Sequence, residues 1–278
     1  MKKYSVPFLV WSLVFIIFPL LLIVIYSFNG VKSMDLSGFE LSFENFQRFF
    51  EPIYISILFR SIWLAFISTL VCLLLGYPIA YIISQMDAKK GAFYIMLFII
   101  PMWMNFLLRT YAWITLLGRN GVLNRLLGFI GLGPFDMMYN EVSILMGMIY
   151  NFLPFMVLPI YTVLTKMDKS LIEAAKDLGA TPKIVFQKVI IPLSVPGIMS
   201  GILMCFIPAL STFVISSLLG GNKYYLVGNL IEQQYRFTGN WPFGSAISVI
   251  LIIIMLLMLA FFRKITKQNN SGRRSQGV

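Results

Sequence analysis

The sequence predicts an all-α, polytopic membrane protein with six transmembrane helices. Of the 278 residues, 59% are hydrophobic and 12% are charged, whereas soluble domains have about half apolar and about a quarter charged residues. The mean hydropathy is +0.84. An apolar run of about 20 residues is long enough for an α-helix to cross a bilayer. Six such runs lie at about 6–28, 58–85, 92–117, 142–165, 196–219 and 243–262, and none alternates between polar and apolar residues as a membrane β-barrel would.

The first run has the basic start of a secretory signal peptide, because Lys2 and Lys3 precede it. It is longer than the apolar region of a signal peptide, and no A-x-A cleavage site follows it. We therefore expect residues 1–28 to form a retained transmembrane helix.

The other segments follow from the positions of the runs. Residues 29–57 are the most polar stretch between spans, and their phenylalanine spacing predicts a short amphipathic helix at the outer membrane surface. Residues 58–262 form a core of five spans with an inner loop at 166–195. Residues 263–278 form a basic inner tail, which its composition predicts to be disordered.

The charges indicate the orientation of the chain. The net charge is +11. With both termini in the cytoplasm, the inner side carries 14 basic and 4 acidic residues, and the outer side carries 8 basic and 7 acidic residues. This asymmetry is the positive-inside pattern of membrane proteins. The basic character therefore reflects topology and does not indicate a nucleic-acid partner.

Several absences argue against catalysis by this chain. It has no histidine, so the commonest metal ligand and general base are missing. It has no G-x-x-x-x-G-K-[ST] motif that would bind ATP phosphates, and no central span carries the carboxylate that a proton-driven carrier commonly uses. Cys72 and Cys205 both fall inside predicted spans, where packing is the expected role. We expect no enzyme activity, no catalytic residue, no metal site and no bound cofactor.

Polar side chains inside spans three, four and five are candidates to line a translocation pathway. They are Asn105, Arg109, Tyr150, Asn151, Ser211 and Thr212. Each has a structural alternative. Arg109 is also expected to snorkel at the outer interface, Asn151 to bond a neighbouring helix, and Ser211 and Thr212 to cap the backbone after Pro208.

The polar stretch at 170–192 predicts two short helices joined by a sharp turn. Ser170 and Glu173 have the spacing of a capping box. Gly179 suits the left-handed residue that ends a helix. Thr181 and Pro182 then predict a second N-cap and a proline in the first turn. On the first of these helices, Ala174, Ala175 and Leu178 would present a small apolar face that fits a groove on another protein.

The pattern E-A-A-x-x-x-G at 173–179, with an apolar, proline-containing end at 189–192, resembles the EAA loop of bacterial ABC-importer permeases. The resemblance implies the type I ABC importer permease (MetI-like) fold. It also implies that the first short helix is a coupling helix, which docks on a cytoplasmic ATPase dimer. The residues that carry this contact are Glu173, Ala174, Ala175, Asp177, Leu178 and Gly179.

Further segments resemble the polyamine permease branch of that family. They are GYPIAY at 76–81, LRTYAW at 108–113, LGRNG at 117–121, LPFMVLP at 153–159, LGG at 219–221 and NWPFGSA at 240–246. The resemblance implies a multi-pass subunit of the bacterial cytoplasmic membrane that translocates spermidine or putrescine. The implied partners are a homologous second permease subunit, the ATPase dimer that binds ATP, and an extracytoplasmic polyamine-binding protein.

Two alternatives to this interpretation remain. One is the same type of importer with another cargo, such as an opine, a phosphonate, thiamine or an iron complex. The other is a self-contained secondary carrier. A polyamine is polycationic, yet the spans offer no carboxylate and Arg109 would repel it. Either partner residues and aromatic side chains form the polyamine site, or the binding protein determines specificity.

Overall fold

The computed structural model describes residues 2–31, 38–221 and 223–274, and most of these residues are helical. An isolated antiparallel bridge pairs Asn29 with Leu41. The elements in chain order are α1 Lys2–Ser12, π1 Leu13–Ile17, α2 Phe18–Ser27, α3 Glu44–Phe49, α4 Pro52–Ser84, α5 Ala88–Trp103, α6 Phe106–Leu117, α7 Val122–Phe129, α8 Glu141–Thr165, α9 Lys169–Asp177, α10 Pro182–Val185, π2 Phe186–Ile190, α11 Ile191–Ser211, α12 Val214–Gly220, α13 Val227–Arg236 and α14 Trp241–Arg274. The predicted all-α class is confirmed.

Within the described residues, five helical stretches are long and apolar enough to cross a membrane. They are Pro7–Ser27, Pro52–Ser84, Glu141–Thr165, Pro182–Ser211 and Trp241–Lys264. A sixth span is present if a bent helix pair at 88–129 counts as one. The six predicted runs therefore correspond to helical segments.

The third predicted run is not one straight helix. α5 ends at Trp103, and the stretch beginning with α6 at Phe106 runs at 94° to it. Asn105 is the N-cap of α6, because its Oδ1 atom accepts a 2.8 Å hydrogen bond from the Leu107 amide. The Asn105 carbonyl oxygen also accepts from the Arg109 amide at 3.2 Å, so both residues belong to the new helix that starts after the break.

The fifth predicted run also differs from the structure. Helical backbone begins at Pro182, passes through π2 and reaches Ser211 without a break. Thr212 is extended, and α12 starts at Val214. The second predicted short helix is therefore the beginning of a long one. Thr181 and Pro182 start it, but no glycine or extended residue follows to end it before the membrane span.

The chain forms two compact units, whose boundaries fall inside α4, between α12 and α13, and inside α14. The first comprises residues 1–61 and 225–258. In this unit, the Asn45 side-chain amide donates to the carbonyl oxygens of Ser27 and Asn29, at 3.4 and 2.8 Å. The Arg48 guanidinium lies 4.4 Å from the centre of the Phe243 ring. These contacts fix α3, which confirms the short helix predicted within 29–57.

The second unit comprises residues 62–224 and 259–278. Its core is the packing of α8 against α11, where glycines allow a close approach of the two backbones. A Cβ atom at Gly197 would lie 2.9 Å from the Pro159 carbonyl oxygen, and one at Gly201 would lie 2.7 Å from the sulfur of Met156. Larger residues at either position would push the two helices apart.

The basic tail differs from its predicted disorder. α14 continues through Gly272 to Arg274. Basic residues near the C-terminal end of a helix are favoured by the helix dipole, and a prediction from composition does not include this effect. The last part of the predicted tail, at 275–278, lies outside the described residues.

Candidate coupling helix and pathway residues

The first candidate site is α9 together with the turn that follows it. This turn has the predicted geometry: Gly179 has a φ of +79°, and the amides of Gly179 and Ala180 donate to the carbonyl oxygens of Lys176 and Ala175. Thr181 then caps α10 by accepting from the Ile184 amide at 3.4 Å. The predicted left-handed glycine and the predicted second N-cap are confirmed.

The predicted capping box at Ser170 and Glu173 is wrong. The N-cap of α9 is Asp168, whose carboxylate accepts a 3.0 Å hydrogen bond from the Ser170 amide. This bond and a second one from the Ser170 hydroxyl lower the pKa of the Asp168 carboxyl, since both favour its charged form. Ser170 is therefore inside the helix, because Asp168 precedes it and is an equally good cap.

The surface of α9 is open to solvent. Glu173, Ala174, Asp177 and Gly179 are exposed, and Ala175 is half-buried. Leu178 has 89% of its surface exposed. Such exposure of a leucine next to small residues leaves an apolar surface uncovered, and an uncovered apolar surface is typical of a protein contact.

The carboxylates on this helix have no cationic partner within the described part of the chain. Neither Glu173 nor Asp177 forms an ion pair there, whereas Arg236 and Glu232 pair at 2.9 Å elsewhere. Glu173 lines a pocket together with Lys169 and Lys176, without pairing with either. The helix therefore combines an exposed apolar group with two free negative charges.

An aromatic contact connects this loop with the membrane spans. The Phe186 ring, in π2, meets the rings of Tyr77 and Tyr81 edge-on, at centroid distances of 6.0 and 5.2 Å. The Tyr77 hydroxyl lies 2.9 Å from the hydroxyl of Ser194 on α11. This aromatic cluster was not predicted from the sequence. Its only signal was a pair of tyrosines four residues apart in an apolar run.

Arg109 is the first of the pathway candidates. It is 8% exposed, and its buried Nε atom has no hydrogen-bond partner in the described part of the chain. The guanidinium lies 5.9 Å from the Phe106 ring centre, at the outer limit of a cation–π contact. This burial does not fit a side chain that snorkels into water. The guanidinium is a charge held inside the unit.

Asn151 is the second of the pathway candidates whose polar side chain is buried. Its amide donates to the Gly147 carbonyl oxygen of its own helix at 2.8 Å, and its Oδ1 atom has no partner among the described residues. The expected bond to a neighbouring helix is therefore not formed. The adjacent Tyr150 packs edge-on against Trp113, with centroids 5.4 Å apart, which places α6 and α8 in contact.

Backbone interactions account for the remaining candidates. Asn105 is exposed and caps α6. The Ser211 hydroxyl donates to the Ile207 carbonyl oxygen at 3.2 Å, and Thr212 lies at the break before α12. The structure therefore does not gather the six predicted residues into one cluster. Among the described residues, no three Cys, Asp or Glu side chains are arranged to hold a metal ion.

Comparison with known proteins identifies the family. Residues 76–269 match the model of the family described as "Binding-protein-dependent transport system inner membrane component". The chain belongs to this family. This permease is therefore a multi-pass protein of the bacterial inner membrane, as the sequence predicted.

Two relatives carry specific names. The permease is 38% identical over 241 residues to the spermidine/putrescine transport system permease protein PotB of Haemophilus influenzae, covering 86% of this chain and 84% of that one. It is 37% identical over 243 residues to the protein of the same name from Escherichia coli, covering 87% and 88%.

A solved structure confirms the fold. The permease matches a chain of a bacterial ABC transporter that imports the acidic polysaccharide alginate, with a TM-score of 0.80 and 16% sequence identity. The match covers 96% of this permease and 94% of that chain. The predicted type I ABC importer permease fold is therefore confirmed, and the cytoplasmic position of both termini stays a prediction.

Proposed function

We propose that this permease is the membrane-spanning subunit of an ABC importer for polyamines, spermidine or putrescine, driven by ATP hydrolysis in a partner subunit. The observation that carries the proposal is the identity of 37–38% over 86–87% of the chain with permeases named for these two substrates. The 16% identity to the alginate transporter supports the fold alone.

The coupling role belongs to α9. Its exposed Leu178, beside Ala174, would fill an apolar groove on the ATPase subunit, and basic residues of that groove would pair with Glu173 and Asp177. Removing an exposed leucine from water is favourable by about 1.5 to 3 kcal/mol. Leu178 would therefore supply part of the binding free energy, and the charge pairs of Glu173 and Asp177 would add to it.

Movement of α9 would reach the spans along a short route. The Gly179 turn leads directly into α10, which continues through π2 into α11. Phe186 carries the displacement to α4 through its two tyrosine contacts. Access then changes from outside to inside as ATP binding shifts the population between two states.

The remaining partners are a homologous second permease subunit and an extracytoplasmic polyamine-binding protein. The binding protein would dock on the outer loops at 118–141 and 220–242. The first of these loops is ordered by Asn124, whose amide donates to the carbonyl oxygens of Gly118 and Phe135 at 3.1 and 2.9 Å. An ordered loop loses little conformational entropy when a partner binds.

The cargo is polycationic, and Arg109 is a buried positive charge without an ion pair in the described residues. An arginine inside a pathway raises an electrostatic barrier against cations. We infer that Arg109 keeps the resting pathway closed to free cations. Specificity for polyamines would then lie in the binding protein, or in residues of the second permease subunit.

The test is uptake of labelled spermidine into vesicles that hold this permease with its second permease, ATPase and binding-protein subunits. ATP-dependent spermidine uptake that needs the binding protein is the expected result. ATP-dependent uptake of another cargo, without uptake of spermidine, would support an ABC importer but contradict the proposal that its cargo is a polyamine. Uptake driven by an ion gradient without ATP would reject the importer in favour of a secondary carrier.

A further inference from the structure

A pocket of about 440 Å³ lies behind α9, in the second unit of the chain. Its walls come from the residues just after α4, the first residue of α5, the end of α8 and one face of α9. Ser84 closes α4 and Thr165 closes α8, so the pocket opens where membrane spans end. This is the level at which lipid headgroups meet a membrane protein.

Basic side chains outnumber acidic ones among the charged residues that line the pocket. Lys169 and Lys176, seven residues apart, lie on one face of α9, and both line the pocket. Neither forms an ion pair within the described residues. Glu173 is the one carboxylate among the lining residues. Lys166 is exposed and lies between two lining residues in the sequence, which adds to the local positive charge.

The rest of the lining is mixed. Met86, Met167 and Ile172 are apolar and only half-buried, whereas the polar residues are Ser84, Gln85, Tyr161 and Thr165. A small free anion would leave the three apolar side chains in contact with water. An amphiphile with a negative head and a hydrocarbon body would cover them while its charge meets the two lysines.

We propose that this pocket binds the headgroup of an anionic phospholipid such as phosphatidylglycerol. The lipid phosphate lies beside Lys169 and Lys176, and the glycerol and ester region lies against Met167 and Ile172. Basic pockets between transmembrane helices on the cytoplasmic side are established sites for acidic lipid headgroups. A bound lipid would hold α9 against the ends of α4 and α8. The proposal rests on the proposed function only for the assignment of this side to the cytoplasm.

The test measures lipid binding to the complete transporter in nanodiscs, by native mass spectrometry and by titration of phosphatidylglycerol into phosphatidylcholine. The test variant is Lys169→Gln with Lys176→Gln, and both side chains are exposed, so folding is unaffected. The matched control is Lys183→Gln with Lys188→Gln, which removes the same charge from exposed residues outside the pocket lining.

The expected result is a fall of about 30-fold in phosphatidylglycerol affinity for the pocket variant, about fivefold for each lysine, and a much smaller fall for the control. Equal falls in both variants would overturn the proposal in favour of general surface attraction. Inorganic phosphate that displaces the lipid at equal concentration would identify an anion site instead. Loss of the ATPase subunit from the pocket variant in pure phosphatidylcholine would identify a protein interface. None of these readouts depends on the cargo.

Discussion

The hydroxyl groups of Tyr77 and Ser194 lie 2.9 Å apart and join α4 to α11, across 117 positions of the sequence. Ser194 is fully buried and also donates to the Ile191 carbonyl oxygen at 2.8 Å. The same Tyr77 ring contacts Phe186 at the start of the spanning helix. One side chain therefore connects two spans with the loop proposed to receive the ATPase.

Replacing Tyr77 by phenylalanine tests this connection. Tyr77→Phe keeps the ring contact and removes one hydrogen bond, so we expect a loss of about 1 kcal/mol of stability. We also expect fewer polyamines imported per ATP hydrolysed. Thermal unfolding of the purified transporter and the ratio of uptake to ATP hydrolysis measure these effects. Tyr111→Phe, at an exposed tyrosine of α6, is the control. An unchanged ratio would show that the bond serves packing alone.

The turn after α9 is tested by two glycines with similar backbone conformations. Gly179 and Gly239 have φ values of +79° and +64°, and no atom lies within 4 Å of a Cβ added at either. Aspartate therefore imposes similar strain at both positions. We expect Gly179→Asp to abolish co-purification of the ATPase subunit and Gly239→Asp to preserve it. If both variants lost co-purification of the ATPase subunit, backbone strain would explain the effect, and a specific contact at Gly179 would be contradicted.

Leu178 should contribute to ATPase binding while contributing little to the stability of the permease. Leu178→Ala is expected to change permease stability by less than about 0.5 kcal/mol, because the side chain is 89% exposed. It should weaken ATPase binding by about 2 kcal/mol, or about 30-fold in Kd. Leu41→Ala, at a leucine that is 71% exposed in the other unit, is the control. The Kd of the ATPase subunit is measured in detergent for both variants. Equal Kd values for Leu178→Ala and Leu41→Ala would contradict a contact between Leu178 and the ATPase.

Arg109 should act as a barrier to cations. Replacing the buried guanidinium by methionine removes a charge that lacks an ion pair in the described residues, so Arg109→Met should not lower the melting temperature. It should raise ATP-independent leakage of spermidine from preloaded vesicles several-fold. Arg125→Met, at an exposed residue of α7, is the control. A lower melting temperature without leakage would assign Arg109 a structural role.

The cap of α9 should depend on pH. Hydrogen bonds from Ser170 lower the folded-state pKa of Asp168 below its usual 3.8, so the stabilisation of the helix start is complete above that value. This stabilisation is lost when the pH falls below the lowered pKa and the Asp168 carboxylate becomes protonated. Amide hydrogen exchange at 169–171 should therefore accelerate only under strong acid. Asp168→Asn keeps an acceptor without a titrating charge, and it should remove this pH dependence. Identical pH profiles in both proteins would contradict the assignment.

Local sequence signals predicted the loop well. Gly179, Thr181 and Pro182 act through their own backbone preferences, so their conformations follow from the residue types. The choice between Asp168 and Ser170 as N-cap did not follow, since both are good caps two residues apart. The end of α8 at Thr165 leaves just three residues before α9, and this short connection favours the earlier cap.

The break at Asn105 carried a sequence signal that hydropathy averaging concealed. A capping asparagine four residues after Pro101 is typical of a new helix start, but the surrounding run is apolar enough to predict a continuous span. The Tyr77–Ser194 bond and the pocket at Lys169 and Lys176 had no such signal. Both depend on tertiary packing between distant segments, which the local pattern of residues does not specify.

The π-helical turn at 186–190 holds one residue more than an α-helical turn, and the helices on either side of it keep their relative rotation. Deleting one residue from this turn would return the segment to α-helix and leave the direction of α9 nearly unchanged. Deleting one residue from α10 or α11 would instead rotate α9 by about 100° around the helix axis. The chain therefore tolerates a change of length at 186–190 better than one elsewhere between Gly179 and the membrane span.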